Sequence, residues 1–482
     1  MTGRTTESST IHSSGLVTRL GVATAIMIVM GSIIGSGVFK KSSVMAAEVQ
    51  SPGLLLACWA IAGVVTLLGT LTNAEISGLI AEPGGQYQFL KHMYGRAFSF
   101  FYGWSCFTVI QTASISSLAY VFSESANTFF SFPRFSESIE SLNIFGIFKP
   151  FDNFGVKAFA IATIASLTIA NFFGVVFGGV ISNVFTVLKL LGIGAVVVLG
   201  FAMSGGTVDH YWPLMESPSA EYHSSLGLFG AMFAAFLGAF WAYEGWINIT
   251  FLGGEIRNPK RNIPIALISG VTGVIVVYLL ANLAYLYVMP VEEMARLKEI
   301  ENSIVAVEVM RTFMGDHGAE FIAVLILVST FGATNCTLMP ASRIYFAMAR
   351  DGLFFRPAAG VHAVYRTPAV SLLLQGAWAS VLVLSGTFDQ LTDMVVFAQF
   401  IFYGLGAAGI FVLRRTMRDQ IRTYKVPGYP VVPLLFVAFC IVLVVVTCIQ
   451  NPREAGIGLA LLLAGTPFYW VWRKQIGTAA GE

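Results

Sequence analysis

The stretch GSIIGSGVF, residues Gly31–Phe39, interrupts the first long apolar segment of this chain. It places three glycines and two serines in nine positions, and neither residue type favours a helix. A chain in lipid must pair its backbone N–H and C=O groups internally, which a continuous helix does. Two explanations remain open. The small residues allow a neighbouring helix to pack closely, or the helix unwinds here to form a binding loop.

The composition places the chain in a membrane. Of its 482 residues, 56% are hydrophobic and 11% are charged, whereas about 25% of the residues in soluble domains are charged. The apolar residues form blocks of roughly 20, the length of a helix that crosses a bilayer core of about 30 Å. No basic run with interleaved aromatic residues occurs. We therefore expect a multi-pass protein in contact with the lipid bilayer and no nucleic acid partner.

Hydropathy predicts an all-α integral membrane protein with twelve transmembrane helices. The loops on the side of the N-terminus carry roughly twice as many Lys and Arg residues as the opposite loops, which predicts that both termini are cytoplasmic. The predicted spans are 17–39, 53–80, 96–122, 156–175, 178–204, 226–254, 263–289, 318–350, 366–386, 391–413, 431–449 and 456–473.

A second anomaly lies in span 6, in the stretch FLGAFWAYEGWINITFL (Phe236–Leu252). Glu244 and Gly245 fall close to the middle of this span. A carboxylate at the centre of a membrane helix costs at least about 2.5–3.5 kcal/mol on insertion scales, and glycine weakens the helix beside it. We therefore predict that span 6 is interrupted at the position that matches the glycine cluster of span 1.

The two breaks divide the chain into matching halves of five spans. Paired interrupted helices are the best sequence pointer to a transporter site, because unwound backbone at membrane depth must line a cavity or be buried in protein. The predicted segments are a disordered cytoplasmic tail (1–16), the first five-helix repeat (17–204), an external connector (205–225), the second five-helix repeat (226–413), a cytoplasmic connector (414–430), helices 11 and 12 (431–473) and a cytoplasmic tail (474–482).

The breaks offer complementary groups to a zwitterion. Freed N–H groups at the start of a half-helix form an anion-binding end, and freed C=O groups accept hydrogen bonds from a cation. A ligand with one carboxylate and one ammonium fits both, which predicts an α-amino acid as the small-molecule substrate. The candidate substrate-binding residues are Ile33, Gly35, Ser36, Gly37, Trp241, Ala242, Glu244 and Gly245.

Further motifs accompany these two. Together with GSIIGSGVF and FWAYEGW, the stretches AEISGLIAEPGGQYQFL (74–90), GEIRNPKRNIP (254–264) and SRIYFAMARDG (342–352) resemble the amino acid–polyamine–organocation permeases, most of all their L-amino acid transporter branch. The resemblance extends from residue 17 to 470. It implies a 5+5 inverted repeat, first seen in a sodium-coupled leucine transporter, with discontinuous helices 1 and 6, two additional C-terminal helices and alternating access.

The resemblance also assigns roles to residues. It implies that Ser36 and Gly37 bind the substrate carboxylate, that the backbone of Ile33, Trp241 and Glu244 binds the ammonium, and that the Trp241 ring covers the substrate. Mammalian relatives bond to a heavy chain through a cysteine between spans 3 and 4, and the loop 131–155 has no cysteine. A stand-alone bacterial protein of the inner membrane, without a disulfide-linked heavy chain, is therefore expected.

Two buried charges have open roles. Lys189 in span 5 either extends to the cytoplasmic surface or faces the first break, where the resemblance implies that it replaces a sodium ion, as a fixed charge or as a proton carrier. Glu244 pairs with a cationic substrate side chain, holds a proton or bonds to the unwound backbone around it. Ile247 stands where several relatives have asparagine, which leaves the polar side of the pocket undetermined.

Other charges are expected to have structural roles. We predict that Glu75 and Glu82 pair with basic loop residues such as Lys91 or Arg96. The loop residues Glu255, Arg257, Lys260 and Arg261 form either a positive-inside anchor or a cytoplasmic gate, and Arg343 and Arg350 are interpreted in the same way.

The remaining side chains favour a carrier over an enzyme or a channel. The five cysteines all lie in apolar segments and the six histidines have no ligand spacing, so no metal or other cofactor is expected. The sequence predicts a sodium-independent secondary transporter, an exchanger of neutral L-amino acids. The alternatives are exchange or proton-coupled transport of lysine, arginine or ornithine through Glu244, and an amino acid sensor with the same fold.

Overall fold

A computed structural model describes residues 14–142, 149–203, 205–214, 226–299, 304–385 and 388–479. Within these ranges the regular structure is helical, and β-type pairing occurs as isolated bridges such as Leu20–Ile256 and Pro83–Leu252. The predicted all-α class is confirmed. Most of the predicted N-terminal tail, and the last three residues of the C-terminal one, lie outside the described residues.

The helices are numbered in chain order. They are α1 (Val22–Ile33), α2 (Gly37–Val49), α3 (Pro52–Leu79), α4 (Gln86–Tyr94), α5 (Arg96–Ser105), α6 (Gln111–Ala126), α7 (Glu137–Glu140), α8 (Phe154–Phe172), α9 (Val175–Met203), α10 (Gly227–Ala242), α11 (Pro259–Val288), α12 (Val291–Arg296), α13 (Val305–Met314), α14 (Asp316–Arg350), α15 (Ala369–Val383), α16 (Phe388–Thr416), α17 (Val431–Gln450), α18 (Pro452–Leu463) and α19 (Thr466–Ala479).

Eleven continuous or interrupted helices in the described residues are long and apolar enough to cross a membrane. They correspond to eleven of the predicted spans. Within the predicted span 366–386, α15 has 15 residues, fewer than the roughly 20 that a crossing requires. The count of twelve and the inverted repeat therefore stay predictions.

The first span is longer than the sequence analysis expected. The predicted end at residue 39 is wrong, because α2 continues the span to Val49. Lys40 and Lys41, assigned to an external loop, lie inside α2. Lys41 is buried, and the Lys40 ammonium lies 2.6 Å from the carboxylate of Glu124 on α6. Two lysines in a row are typical of a loop, and the partner of Lys40 lies 84 residues away in the sequence.

Short helices occupy connectors that the sequence analysis left unassigned. Helix α4 follows the AEPGGQY connector, and α12 and α13 lie in the 290–318 segment. One face of α13 is buried through Val305, Val309 and Met310. This apolar face packs on α2 and α14. Its spacing at i, i+4 and i+5 is that of an amphipathic helix.

The broken helices lie at the centre of the bundle. Helices α1, α2 and α10 pack against α3, α9, α11, α14 and α16, so the interrupted backbone is enclosed by protein. Helices at the periphery present large apolar side chains outward, such as Leu191 and Val198 on α9 and Leu434 and Ile441 on α17. Outward leucine, valine and isoleucine side chains suit a lipid environment, because lipid shields their apolar surface from water.

Glu75 ties α3 to the end of α16, and the predicted partners of this residue are wrong. Its buried carboxylate accepts hydrogen bonds from Arg414 at 2.9 and 2.7 Å, from Arg422 at 3.1 Å and from the backbone amide of Val426 at 2.7 Å. Three donors from one segment satisfy the buried charge, which would otherwise be costly. The predicted partners are close to Glu75 in the sequence, whereas the observed arginines are more than 330 residues away.

The neighbouring charges also differ from expectation. Lys91 pairs with Asp351 at the end of α14 at 2.7 Å, and Tyr87 donates to the same carboxylate at 2.9 Å. Glu82 lies 3.4 Å from His92. These contacts attach α4 to α14 and hold the connector AEPGGQY (81–87) in place.

Candidate substrate site between the two broken helices

The first break leaves a row of backbone donors at the start of α2. Helix α1 ends at Ile33, Ile34 is extended with φ −75° and ψ 96°, and α2 begins at Gly37. The N–H groups of Gly35, Ser36 and Gly37 have no backbone acceptor among the described residues. Because α2 has 13 residues, its N-terminal amides and dipole favour an anion here. The Ser36 hydroxyl is buried and also lacks a partner in the described part of the chain.

The second break follows α10. This helix ends at Ala242, Gly245 has φ +98°, and a 3₁₀ helix runs over Trp246–Phe251. A Cβ at Gly245 would lie 2.8 Å from the Ser32 carbonyl oxygen, in a backbone conformation that side chains disfavour. A Cβ at Gly37 would lie 2.6 Å from the Ala242 Cα. The glycines thus allow the two breaks to touch, so close packing and unwinding occur together in GSIIGSGVF.

The Tyr278 hydroxyl joins the two breaks. From α11 it lies 3.1 Å from the carbonyl oxygen of Ile33 and 2.8 Å from that of Ala242. Both carbonyls belong to the last turn of a helix that stops in the middle of the membrane, where four C=O groups lack helical partners. Tyr278 therefore satisfies one orphan group from each break and fixes their separation.

A cavity of about 30 Å³ lies between the breaks, room for one or two water molecules. Seven of the eight predicted substrate-binding residues line it. Ala242 does not line the cavity, because it packs against Gly37, and its assignment to the substrate site stays a prediction. The lining residues are Ser32, Ile33, Gly35, Ser36, Gly37, Gln111, Ser114, Leu118, Trp241, Glu244, Gly245, Asn248 and Thr337.

Six of these lining residues were missed by the sequence analysis. They are Ser32 from α1, Gln111, Ser114 and Leu118 from α6, Thr337 from α14 and Asn248 from the 3₁₀ helix. Ile247, which the sequence analysis placed at the polar side of the pocket, is fully buried outside the cavity lining, and its neighbour Asn248 faces the cavity instead. A buried Gln or Asn in an apolar span was the available signal.

Lys189 is buried against the first break. Its ammonium donates to the carbonyl oxygens of Gly31 at 3.1 Å, Ile34 at 2.5 Å and Ser329 at 2.9 Å. The Ser329 hydroxyl in turn donates to the Gly35 carbonyl at 2.8 Å. The side chain is 0% exposed, so it does not extend to the membrane surface as the first alternative required. One cation bound by three carbonyls links α9, α14 and the unwound segment.

Glu244 places a carboxylate at the cavity wall. Both of its oxygens lie 3.1 Å from the Tyr403 hydroxyl on α16, and the Gly245 amide adds a backbone donor. Trp246 packs against the Tyr403 ring with the centroids 4.9 Å apart and the ring planes tilted by 40°. No Lys or Arg within the described ranges forms an ion pair with this carboxylate. The contact with the backbone amide and the open side toward the cavity keep all three predicted roles available.

A buried ion pair closes the end of the bundle that is predicted to be cytoplasmic. Glu255 accepts from Arg343 in bidentate geometry at 2.8 and 2.7 Å, and both side chains are at most 1% exposed. The Glu255 carbonyl accepts from the amides of Arg19 and Leu20 just before α1. Of the two alternatives for Arg343, the surface anchor is therefore wrong and the cytoplasmic gate stays a prediction. The pair links α14, the loop after the second break and the start of α1.

The described residues hold no group of three His, Cys, Asp or Glu side chains with metal-ligand geometry. All five cysteines lie within the described ranges and are unpaired there. Cys448 is exposed, and Cys58, Cys106, Cys336 and Cys440 are buried. Their distribution agrees with use as small packing residues.

Comparison with known proteins identifies the family. The amino acid permease family matches residues 20–471. The serine/threonine exchanger SteT of Bacillus subtilis (strain 168) is 30% identical over 466 residues, 96% of this chain and 99% of that protein. The b(0,+)-type amino acid transporter 1 of Mus musculus is 28% identical, covering 97% and 91%. The large neutral amino acids transporter small subunit 2 of Mus musculus is 29% identical, covering 94% and 80%.

These matches cover the chain from α1 to α19, so they include both broken helices and the cavity between them. They agree with the family resemblance that the sequence motifs indicated. The family consists of membrane carriers. The chain belongs to the amino acid permease family and is a multi-pass membrane transporter of amino acids, not an enzyme.

Proposed function

We propose that this protein is a sodium-independent exchanger of neutral L-amino acids that operates by alternating access in the bacterial inner membrane, with both termini in the cytoplasm. The observation that carries the proposal is the row of unpaired amides at Gly35, Ser36 and Gly37, which faces the same cavity as the carbonyl end of α10. An amino acid carboxylate at the amides and its ammonium at the carbonyls satisfy both ends at once.

The ammonium end is formed by backbone groups of Ile33, Trp241 and Glu244. Carbonyl oxygens have two lone pairs, so the Ile33 oxygen that accepts from Tyr278 retains capacity for a second donor. The Trp241 ring lies against the cavity and is 7% exposed. We assign it the role of a lid that moves when substrate enters, because the cavity of about 30 Å³ is smaller than any amino acid.

Sodium independence follows from Lys189. Its ammonium contacts carbonyl oxygens of Gly31, Ile34 and Ser329, which are ligands of the type that a sodium ion would require. A covalently attached cation supplies the same charge without an ion gradient. Coupling therefore comes from the second amino acid, bound on the opposite side, and the carrier reorients when loaded.

Alternating access requires a closure on each side. The Glu255–Arg343 pair and the amides of Arg19 and Leu20 form the inner closure in this proposal, since they join α14, α1 and the loop after the second break. Reorientation separates these elements.

The substrate class is supported by the relatives. One is named a serine/threonine exchanger and another a transporter of large neutral amino acids. The loop 131–155 of this chain has no cysteine, so we propose that the protein acts without a disulfide-linked heavy chain.

The test uses purified protein in vesicles loaded with unlabelled serine or alanine. We expect uptake of labelled serine that requires internal amino acid and is unchanged when external sodium is replaced by choline or when a pH gradient is collapsed. Uptake into empty vesicles at the same rate, or a requirement for sodium, would contradict the proposal. Substrate binding with no flux at all would favour a sensor.

A second candidate function is exchange of cationic amino acids. The carboxylate of Glu244 at the cavity wall, with Tyr403 and the Gly245 amide as its donors, favours it. A lysine, arginine or ornithine side chain would supply the countercharge that the described residues do not. Competition by these amino acids against labelled serine ranks the two candidates.

A further inference from the structure

Two side chains on opposite sides of the cavity bond to each other and each keep one free polar atom. Gln111 of α6 donates its Nε2 to the Oδ1 of Asn248 at 3.2 Å. The Gln111 Oε1 and the Asn248 Nδ2 are buried and have no partner among the described residues. Both side chains line the cavity, and they are 2% and 1% exposed.

This arrangement does not depend on which way either amide is oriented. Each carboxamide has one acceptor oxygen and a donor nitrogen, and the oxygen and nitrogen are assigned from the hydrogen-bond network. If both amides are turned over, Asn248 donates to Gln111, and the pair again keeps one free donor and one free acceptor. The cavity therefore always offers one of each at this end.

Both residues are held in place by irregular backbone. A π-helical turn at Cys106–Ile110 precedes Gln111, and the Tyr345 hydroxyl donates to the Cys106 carbonyl within it at 3.1 Å. Turns of this kind occur often at functional sites. Asn248 lies in the 3₁₀ helix after the second break, where its backbone N–H donates to the Gly245 carbonyl at 3.1 Å. The pair is thus attached to the backbone that forms the proposed zwitterion site.

We propose that Gln111 and Asn248 form the side-chain subsite and that it selects amino acids with a short hydroxyl or carboxamide side chain: serine, threonine, asparagine and glutamine. Such side chains carry a donor and an acceptor and complete the pair. This inference rests on the proposed function and narrows its substrate class. An apolar substrate of the same shape leaves both buried atoms unpaired. Sites built to bind a hydroxyl group strongly reject such an apolar analogue for this reason.

The test compares substrates of equal shape. Threonine and valine differ by a hydroxyl in place of a methyl group, and asparagine and leucine by a carboxamide in place of an isopropyl group. Competition against labelled alanine in exchange vesicles gives the preference within each pair. We expect the unaltered protein to prefer threonine over valine and asparagine over leucine by about tenfold or more.

Variants then locate the preference. Gln111→Met and Asn248→Leu keep the shape and remove the amides. We expect the threonine-to-valine ratio, measured within each variant, to fall below about two whatever the absolute rate of exchange. Asn248→Asp is the smallest change of the three, because it only replaces the free donor nitrogen of Asn248 by an acceptor oxygen. Ser117→Ala on α6 is the matched control, because Ser117 is buried on the same helix but does not line the cavity.

The outcomes separate this inference from the proposed function. A threonine-to-valine ratio near one in the unaltered protein overturns the inference while exchange of alanine upholds the function. An unchanged ratio in both Gln111→Met and Asn248→Leu likewise overturns it. Failure of the unaltered protein to exchange alanine, serine, threonine or valine would instead overturn the proposed function.

Discussion

The hydroxyl of Tyr278 lies 2.8 Å from the carbonyl oxygen of Ala242, at the last turn of the second broken helix. The same hydroxyl lies 3.1 Å from the Ile33 carbonyl of the first broken helix. One side chain of α11 thus contacts the ends of both interrupted helices and holds their terminal carbonyl groups near each other. The ring is held by Trp59, whose centroid lies 5.4 Å away with the rings near perpendicular.

Replacing this hydroxyl tests whether the two breaks act as one site. Tyr278→Phe leaves two carbonyl groups without their donor, at a cost of about 1–3 kcal/mol. We expect serine exchange to fall by about tenfold, with an elution profile in detergent like that of the unaltered protein. Radiolabelled exchange in vesicles measures the effect.

Tyr285→Phe is its matched control. Tyr285 lies two turns along α11, is fully buried, and its hydroxyl has no partner among the described residues. Removing that hydroxyl should leave exchange within about twofold of the unaltered rate. Equal losses in both variants would mean that Tyr278 contributes only to packing of α11.

Removal of the Lys189 ammonium should abolish exchange. Lys189→Ala leaves the carbonyls of Gly31, Ile34 and Ser329 without their shared donor, and the unwound segment loses its attachment to α9. We expect serine exchange below about a tenth of the unaltered rate. Partial recovery with sodium, and none with choline, is expected because the three oxygens remain available to a small cation.

Lys157→Ala controls for loss of a buried lysine. Lys157 on α8 is 3% exposed and its ammonium donates to the Lys149 carbonyl at 2.5 Å, a contact with the loop rather than with either break. This variant should retain most exchange activity. If Lys189→Ala transports at the full rate without sodium, the proposed replacement of a sodium ion by Lys189 is wrong.

The sequence predicted the breaks because their cause is local. Glycines within Gly31–Gly37 and the pair Glu244–Gly245 weaken a helix wherever it packs, and seven of the eight residues assigned from them line the cavity. Ala242 lies outside the lining because its position beside the break places its Cβ against Gly37. Helical periodicity cannot predict which way a side chain points where the helix is interrupted.

The missed features depend on contacts between distant residues. Gln111 and Asn248 come from different halves of the chain and gain meaning only when paired across the cavity. A lysine such as Lys40 is typical of a loop, and its place inside a helix is explained only by its ion pair with Glu124. Arg343 was counted as a surface charge for the same reason. Each of these side chains is compensated by a group at least 84 residues away.

Glu244→Gln separates the neutral from the cationic candidate. The variant keeps the side-chain shape and the contact with Tyr403 but removes the negative charge. If the substrates are neutral, serine exchange should change by less than about threefold, and lysine or arginine should compete poorly before and after the change. Competition by labelled and unlabelled amino acids in vesicles provides the measurement.

Loss of arginine transport together with intact alanine transport in this variant would overturn the ranking and support a cationic substrate. Tyr403→Phe is the companion variant, because it removes the hydroxyl donor and leaves the carboxylate. A carboxylate that binds a substrate cation needs its charge and not this donor, so arginine transport should survive in Tyr403→Phe under that alternative.

The Glu255–Arg343 pair should stabilise the fold as well as close one side of the bundle. Arg343→Met leaves a fully buried carboxylate without its bidentate partner, and breaking such a pair costs about 3–5 kcal/mol. We expect the unfolding midpoint in detergent to fall, as followed by a thiol-reactive dye at the four buried cysteines. Arg350→Met, two turns along α14 and exposed, should leave the midpoint unchanged.

The double variant Glu255→Leu with Arg343→Met distinguishes stability from closure. Replacing both charges by apolar side chains removes the unpaired carboxylate, so the unfolding midpoint should recover toward that of the unaltered protein. Exchange should stay low, since the Glu255 side chain no longer links the loop after the second break to α14. Full recovery of exchange along with stability would show that the pair contributes to folding alone, and that closure of this side depends on the backbone contacts of Arg19 and Leu20.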